Sequence, residues 1–149
     1  MKKKIIITGG LGYIGTELCK LYSGVSWHHK ITVIDNRFIS ERVNQLRNWN
    51  IEFVHGDILD KELINKHCKD ADIVHHLAGI TDVPRVKSET DKNHDSKIKR
   101  VAEEGTQNIL DAIGDNSIIT LNELTDSIGI EKKAKINYLY EKTSRLGLN

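Results

Sequence analysis

The sequence of 149 residues is poor in cysteine and proline and contains no long apolar run. Its two cysteines, Cys19 and Cys68, lie far apart and form no Cys-x-x-Cys pair, so we expect two reduced, packed thiols in a cytoplasmic protein. No apolar run approaches the roughly 18 residues that a membrane span needs. The lysines at positions 2–4 precede only three isoleucines, so we expect no secretory signal.

An excess of one charge sign is also absent, because 22 Lys and Arg residues accompany 21 Asp and Glu residues. This balance argues against nucleic acid or an anionic membrane surface as the main partner. Histidines form two adjacent pairs, His28-His29 and His75-His76. Consecutive side chains on a strand point to opposite faces, so His75 and His76 cannot easily bind one ion, and we predict no metal site. The length is typical of one domain with a stable core.

Glycines are concentrated where the first strand is followed by a helix. Residues 2–7 form a short strand-like run, and Gly9, Gly12 and Gly15 follow at three-residue spacing before an apolar helical face at positions 14–21. A backbone that turns sharply and touches a pyrophosphate needs residues without Cβ, and the N–H groups that begin a helix attract that phosphate. The pattern therefore predicts a nucleotide-phosphate site, with a glycine turn that binds nothing as the alternative.

An acidic residue ends the second β-branched run. Residues 31–34 lead into Asp35, which lies twenty residues after Gly15. A carboxylate there can accept hydrogen bonds from an adenosine ribose and repels a 2′-phosphate, so the pattern favours NAD over NADP. Arg37, two residues later, weakens that preference. The alternative role for Asp35 is to cap a turn after the strand.

The remaining sequence alternates strands with helices, which predicts a doubly wound parallel α/β sheet. Predicted strands cover residues 4–8, 31–35, 51–55 and 72–77, and predicted helices cover 12–23, 40–48, 60–68 and 92–113. Right-handed crossovers give the strand order 3-2-1-4, with a short fifth strand available near 117–120. The ligand crevice is expected at the switch point between strands 1 and 4. Residues 79–91 contain the single proline and are predicted to form a loop beside this crevice.

Five segments carry a resemblance to a known family, namely residues 8–15 (TGGLGYIG), 33–36 (VIDN), 56–58 (GDI), 76–79 (HLAG) and 105–110 (GTQNIL). They resemble, in the same order, the TGxxGxxG fingerprint and later motifs of the extended short-chain dehydrogenase/reductase family. That family includes the NAD-dependent nucleotide-sugar epimerases and dehydratases. The resemblance covers about residues 3–113 and implies a Rossmann-like fold.

The resemblance implies NAD as the cofactor and a nucleotide sugar as the substrate. The residues it implies for cofactor binding are Gly9, Gly12, Tyr13, Ile14, Gly15, Asp35, Asn36, Asp57, Ile58, Leu77, Ala78 and Gly79. In particular, it implies that the Asp57 side chain and the Ile58 backbone hold the adenine, the alternative for Asp57 being a role in its own turn. For Ala78 and Gly79 the alternative is a simple strand-to-loop turn.

The sequence departs from the family after about residue 113, where the expected catalytic Ser/Thr and Tyr-x-x-x-Lys context is not found. We therefore expect the catalytic middle to be missing. Residues 1–116 are expected to form the NAD-binding domain, and residues 117–149 a short tail that resembles a remnant of the substrate domain. Tyr138 and Lys142 match Tyr-x-x-x-Lys, but their flanking residues favour amphipathic packing of Tyr138 beside a solvated Lys142.

The sequence thus predicts an NAD(H)-binding protein that resembles the cofactor half of a nucleotide-sugar epimerase or dehydratase, with little or no turnover of its own. Two alternatives stay open. One is a non-catalytic nucleotide-binding module or a subunit completed by a partner. The other is an S-adenosylmethionine-dependent methyltransferase. Because at most one short strand is available beside strand 4, we expect a second copy or a partner chain to cover that edge, unless the tail folds back over it.

Overall fold

The computed structural model describes residues 1–80 and 92–121, which form one five-stranded parallel sheet with helices on both faces. The strands are β1 (Lys4–Thr8), β2 (Lys30–Asp35), β3 (Glu52–His55), β4 (Ile73–His76) and β5 (Ile118–Leu121). The helices are α1 (Tyr13–Tyr22), α2 (Ser40–Asn48), α3 (Lys61–Cys68), α4 (Lys92–Arg100) and α5 (Thr106–Ala112), and a π-helical turn (Val101–Gly105) joins α4 to α5.

The strand order is β3-β2-β1-β4-β5 and every pair is parallel, so the predicted doubly wound sheet and its fifth strand are confirmed. The predicted helix 92–113 is helical over residues 92–112, but the π-helical turn interrupts its α-helical hydrogen bonding. The predicted loop falls mostly on residues 81–91, and the predicted tail mostly on residues 122–149. Both of those ranges lie outside the described residues.

The central strand β1 is buried on both faces, as its unbroken isoleucine run predicts. Its side chains alternate between two hydrophobic cores. Ile5 and Ile7 pack in the core that also contains Cys19 of α1, whereas Ile6 packs in the core that contains Cys68 of α3. Both cysteines are free and buried, as expected, and burial raises the thiol pKa of Cys19 to about 12 and that of Cys68 to about 11.

The adjacent histidines of β4 also point to opposite faces. The Tyr22 hydroxyl lies 2.7 Å from Nε2 of His75, and the Thr120 hydroxyl lies 2.6 Å from Nδ1 of the same ring. The His76 ring instead contacts Thr106 on the other side of the sheet. Among the described residues, no group of three or more His, Cys, Asp or Glu side chains could hold a metal ion. No helix in that part of the chain is long and apolar enough to cross a membrane.

The parallel arrangement brings the carboxyl ends of the strands to one edge. Thr8 pairs in register with Ile34 on one side and with His76 on the other. The chain continues from β1 to β2 on one side and returns to β4 on the other, so the topological switch lies beside Thr8, and α1 begins at the same edge. Ligands of open α/β sheets bind at this position.

Candidate functional site

The glycine turn after β1 is held tightly against both neighbouring strands. Gly9 has a φ of +69°, its N–H donates to the carbonyl oxygen of Ile34 at 2.8 Å, and a Cβ added to it would lie 2.7 Å from the backbone nitrogen of Ala78. A Cβ on Gly15 would lie 2.5 Å from Cα of Gly10, so the first turn of α1 packs directly on the glycine turn. Side chains at Gly9 and Gly15 would therefore push these elements apart.

The N-terminus of α1 is open to an anion. Gly12 precedes the helix, no side chain caps it, and the first turn contains no acidic residue. The first N–H groups of a helix have no partner within the helix, and its dipole places positive charge there. A Cβ on Gly12 would meet the Gly9 carbonyl oxygen at a tight 3.3 Å and Nη2 of Arg37 at 3.7 Å, so the absence of a side chain there keeps the approach to the helix N-terminus uncrowded.

The two residues that follow Gly12 have exposed side chains. Tyr13 is 88% exposed and Ile14 is 57% exposed, and the expectation that both residues contact the cofactor stays a prediction. Both residues lie in the first turn of α1, where backbone N–H groups have no partner within the helix. Arg42 reaches this turn from α2: its Nη1 donates to the carbonyl oxygen of Leu11, and its guanidinium carbon lies 5.9 Å from the centre of the Tyr13 ring.

The carboxylate of Asp35 lies at the end of β2, beside the glycine turn, and its side chain is only 3% exposed. Oδ2 accepts the Leu11 N–H at 3.0 Å. Oδ1 accepts the Arg37 N–H at 3.0 Å and the Nε–H of the same arginine at 3.3 Å. These bonds balance the buried charge, as a carboxylate at this depth requires. The neighbouring Asn36 is exposed, and its carbonyl oxygen lies 2.9 Å from Nε2 of His55.

A buried histidine connects the carboxyl ends of β1 and β4 to the helix behind them. Nδ1 of His76 lies 2.7 Å from the Thr8 hydroxyl, and Nε2 lies 3.0 Å from the Thr106 hydroxyl. Thr8 Oγ1 also accepts the Ala78 N–H at 3.2 Å, so its own hydroxyl proton is free to go to Nδ1. We assign the neutral tautomer protonated at Nε2 from this network. Burial lowers the pKa of His76 from 6.5 to about 4, which keeps the ring uncharged.

The segment after β3 meets the GTQNIL segment. Ile58 is buried, and a Cβ on Gly105 would lie 2.3 Å from its Cδ1, so the absence of a side chain at Gly105 makes room for Ile58. Asn108 Nδ2 donates to the carbonyl oxygen of Ile58 at 2.9 Å. The exposed Asp57 accepts the Leu59 N–H at 2.9 Å, which is a hydrogen bond within its own turn.

The predicted site residues in the described part of the chain lie along the carboxyl edge of the sheet. Leu77, Ala78 and Gly79 follow β4 there, and the Leu77 N–H donates to the Thr8 carbonyl oxygen at 3.1 Å. The Gly56 N–H donates to the Asp35 carbonyl oxygen at 3.0 Å, which places the segment after β3 beside the ribose-binding candidate. Tyr138 and Lys142 lie outside the described residues.

Five further residues contribute contacts that the sequence did not indicate. They are Thr8, His76 and Thr106, whose polar groups form the buried network, together with Arg42 and Asn108. A polar Thr or His within an otherwise apolar element was the available signal for the network, because a buried polar group requires a partner. Nothing in the local pattern around Arg42 indicated that it reaches the turn.

Comparison with known proteins gives a family and a set of relatives. The sequence profile of the 3-beta hydroxysteroid dehydrogenase/isomerase family matches residues 6–130. The UDP-N-acetyl-alpha-D-glucosaminuronate decarboxylase of Bacillus cytotoxicus is 34% identical in an alignment of length 117 that covers 75% of this chain and 33% of that protein. The dTDP-D-glucose 4,6-dehydratase of Dictyostelium discoideum is 37% identical in an alignment of length 87 that covers 54% of this chain and 20% of that protein.

A solved structure shows the same fold. The UDP-glucose-4-epimerase of Stenotrophomonas maltophila, crystallised with NAD and formylated UDP-arabinopyranose, aligns with a TM-score of 0.64 at 20% identity. The alignment covers 80% of this chain and 36% of that one. The chain therefore spans about a third of the length of that enzyme and a third or less of the two curated relatives.

Proposed function

The chain belongs to the 3-beta hydroxysteroid dehydrogenase/isomerase family of extended short-chain dehydrogenases/reductases, and from this premise we propose that it binds NAD(H) at the carboxyl edge of its sheet. One observation carries the proposal: an uncapped helix N-terminus, the side-chain-free Gly12 and the buried carboxylate of Asp35 lie side by side. The first two suit a pyrophosphate, and the third suits an adenosine ribose.

In this proposal the backbone N–H groups at Tyr13, Ile14 and Gly15 bind the pyrophosphate. Asp35 accepts hydrogen bonds from the ribose hydroxyls, and Asn36 lies next to it. Because the Asp57 carboxylate is already bonded within its turn, we propose that Asp57 and Ile58 contact the adenine mainly through backbone groups.

We propose that Leu77, Ala78 and Gly79 lie along the nicotinamide half of the cofactor. The hydrogen bonds of Leu77 and Ala78 to Thr8 keep this segment close to the glycine turn. Ala78 approaches Gly9 through its backbone, since its nitrogen and Cα would lie 2.7 and 2.8 Å from a Cβ added to Gly9.

The substrate class is proposed from the relatives. The decarboxylase, the dehydratase and the epimerase described above are named for nucleotide-sugar substrates, so we propose a nucleotide sugar for this site. When bound, the nicotinamide would supply hydride transfer to or from a sugar carbon. Tyr138 and Lys142 are the proposed proton-transfer pair only if the tail places them at the crevice. The proposal for the chain by itself is cofactor binding without appreciable turnover.

The family match favours a nicotinamide dinucleotide over S-adenosylmethionine, and a titration separates the two. Purified chain is titrated with NADH by its fluorescence and with S-adenosylmethionine by calorimetry. We expect NADH to bind saturably and to be displaced by NAD. We expect no heat of binding for S-adenosylmethionine. Binding of S-adenosylmethionine without NADH would overturn the proposal and reinstate the methyltransferase alternative.

A further inference from the structure

Two arginines and one carboxylate surround the glycine turn. Arg37 bonds the carboxylate of Asp35 and also approaches Gly12, where its Nη2 lies 3.7 Å from the position of an added Cβ. Arg42 donates to the Leu11 carbonyl oxygen and lies over the Tyr13 ring. The groups closest to this turn therefore carry more positive than negative charge.

The arginine and the carboxylate differ in their access to solvent. The Asp35 side chain is 3% exposed and both of its oxygens accept hydrogen bonds, whereas the Arg37 side chain is 55% exposed. The guanidinium is therefore the more accessible of the two charged groups to a ligand that comes from solvent. The ion pair also neutralises the charge by which Asp35 would repel a phosphate.

The guanidinium of Arg37 keeps donors available after it has bonded Asp35. A guanidinium has five N–H donors, and only the Nε–H is directed to the Asp35 carboxylate. The Nη groups form a planar fork that matches a phosphate in two-point hydrogen bonding, which an ammonium group cannot reproduce. Arg42 adds a second positive charge that is already held in place by its own contacts.

We propose that Arg37, supported by Arg42, forms a phosphate subsite next to the adenosine ribose, so that the chain binds NADP(H) as well as NAD(H). This rests on the proposed function, because it assumes that the dinucleotide lies in the glycine turn. It extends the expectation that Asp35 favours NAD and that Arg37 weakens this preference: the carboxylate selects against a 2′-phosphate only when no cation covers it.

The experiment compares NADH and NADPH on the full chain by fluorescence titration. For the wild type we expect dissociation constants within about tenfold of each other. Arg37→Ala should weaken NADPH binding by about tenfold or more, because a charge-assisted hydrogen bond to phosphate is lost, and should change NADH binding by less than about threefold. Asp35→Ala should instead strengthen NADPH binding relative to NADH binding, because it releases Arg37 for the phosphate.

Arg47→Ala is the matched control, since Arg47 lies in the last turn of α2 whereas Arg42 lies near its beginning, and it should leave both constants unchanged. A second experiment displaces bound NADH from the wild type. In it, adenosine 2′,5′-bisphosphate should displace NADH at least as well as 5′-AMP does. Weaker displacement by the bisphosphate, or an unchanged cofactor ratio in Arg37→Ala, would overturn this inference and leave NAD(H) binding intact. Failure of both dinucleotides to bind the wild type would overturn the proposed function as well.

Discussion

His76 is a residue whose chemistry depends on its surroundings more than on its sequence position. The side chain lies at the end of an apolar strand, and both ring nitrogens face threonine hydroxyls, one on β1 and one on α5. Thr8 in turn accepts a hydrogen bond from Ala78. A proton added to this ring would place a charge in the core. It would also put an N–H at Nδ1, which now accepts the hydrogen bond of the Thr8 hydroxyl.

The buried ring predicts an acid-sensitive stability. The pKa of His76 is lowered from 6.5 to about 4, so between these values the unfolded chain binds a proton that the folded chain does not. The neutral His76 ring therefore makes its full contribution to the free energy of unfolding above about pH 6.5, and this contribution is lost as the pH falls toward 4. At about 1.4 kcal/mol per pKa unit, the loss is about 3 kcal/mol.

Urea unfolding at a series of pH values measures this contribution. For His76→Gln, which retains a donor and an acceptor, the free energy of unfolding should decrease less between pH 7 and pH 5 than it does for the wild type. His28→Gln, which alters an exposed histidine, serves as the control and should keep the wild-type pH dependence. Parallel pH profiles for wild type and His76→Gln would contradict the assignment.

At the scale of residues, the sequence predicted the groups that lie within the motifs but not the groups that reach them from elsewhere. Asp35 could be placed because a strand and a glycine turn determine where its carboxylate lies. Arg42 and Asn108 could not, since each contacts a backbone carbonyl oxygen more than thirty residues away in sequence. Such contacts depend on how α2 and α5 pack, and local patterns carry no information about that packing.

Helices and strands were predicted more completely than individual side-chain contacts, with one exception. The strand positions followed from β-branched runs, and the order from the handedness of the crossovers. The helix before β5 was predicted as continuous because its apolar residues recur at intervals of three and four. The structure instead has a π-helical turn that ends at Gly105, where Ile58 packs against the helix. Wider turns of this kind are common next to functional sites.

This contact between Gly105 and Ile58 predicts an unusual response to substitution. Gly→Ala in an exposed helix usually stabilises, but Gly105→Ala would place a Cβ 2.3 Å from Cδ1 of Ile58. Overpacking of this kind costs about 1–3 kcal/mol, so we expect Gly105→Ala to destabilise the protein. Gly24→Ala, where an added Cβ would meet only the Leu21 carbonyl oxygen at 3.8 Å, is the control and should be neutral or stabilising.

A double-mutant cycle isolates the contact. Ile58→Ala alone should cost about 2–5 kcal/mol because it leaves a cavity. Combined with Gly105→Ala, the loss should be smaller than the sum of the two single losses, since the new methyl group occupies part of the cavity. Additive free energies of unfolding would show that the two positions do not share this space.

For the whole molecule, we predict association with a second copy of the chain. The sheet has edges at β3 and β5 in its described part, and several large apolar side chains are exposed: Leu21, Trp27 and Phe38. Unpaired strand edges and exposed apolar groups favour association. Light scattering after size exclusion, at tens of micromolar protein, should give twice the chain mass of 16.9 kDa. A single species at the chain mass would contradict self-association.

The central claim is that a dinucleotide binds at the glycine turn, and the most direct test is NADH titration of a Gly12→Val variant. Gly12 has an extended backbone that valine can adopt, but an added Cβ would lie 3.3 Å from the Gly9 carbonyl oxygen, so the circular dichroism of the variant must first match that of the wild type. The larger side chain should obstruct the pyrophosphate and weaken NADH binding by at least about tenfold, or 1.4 kcal/mol. Gly24→Val, far from the turn in sequence, should bind NADH like the wild type. Equal NADH affinity in Gly12→Val and the wild type would place the binding site elsewhere.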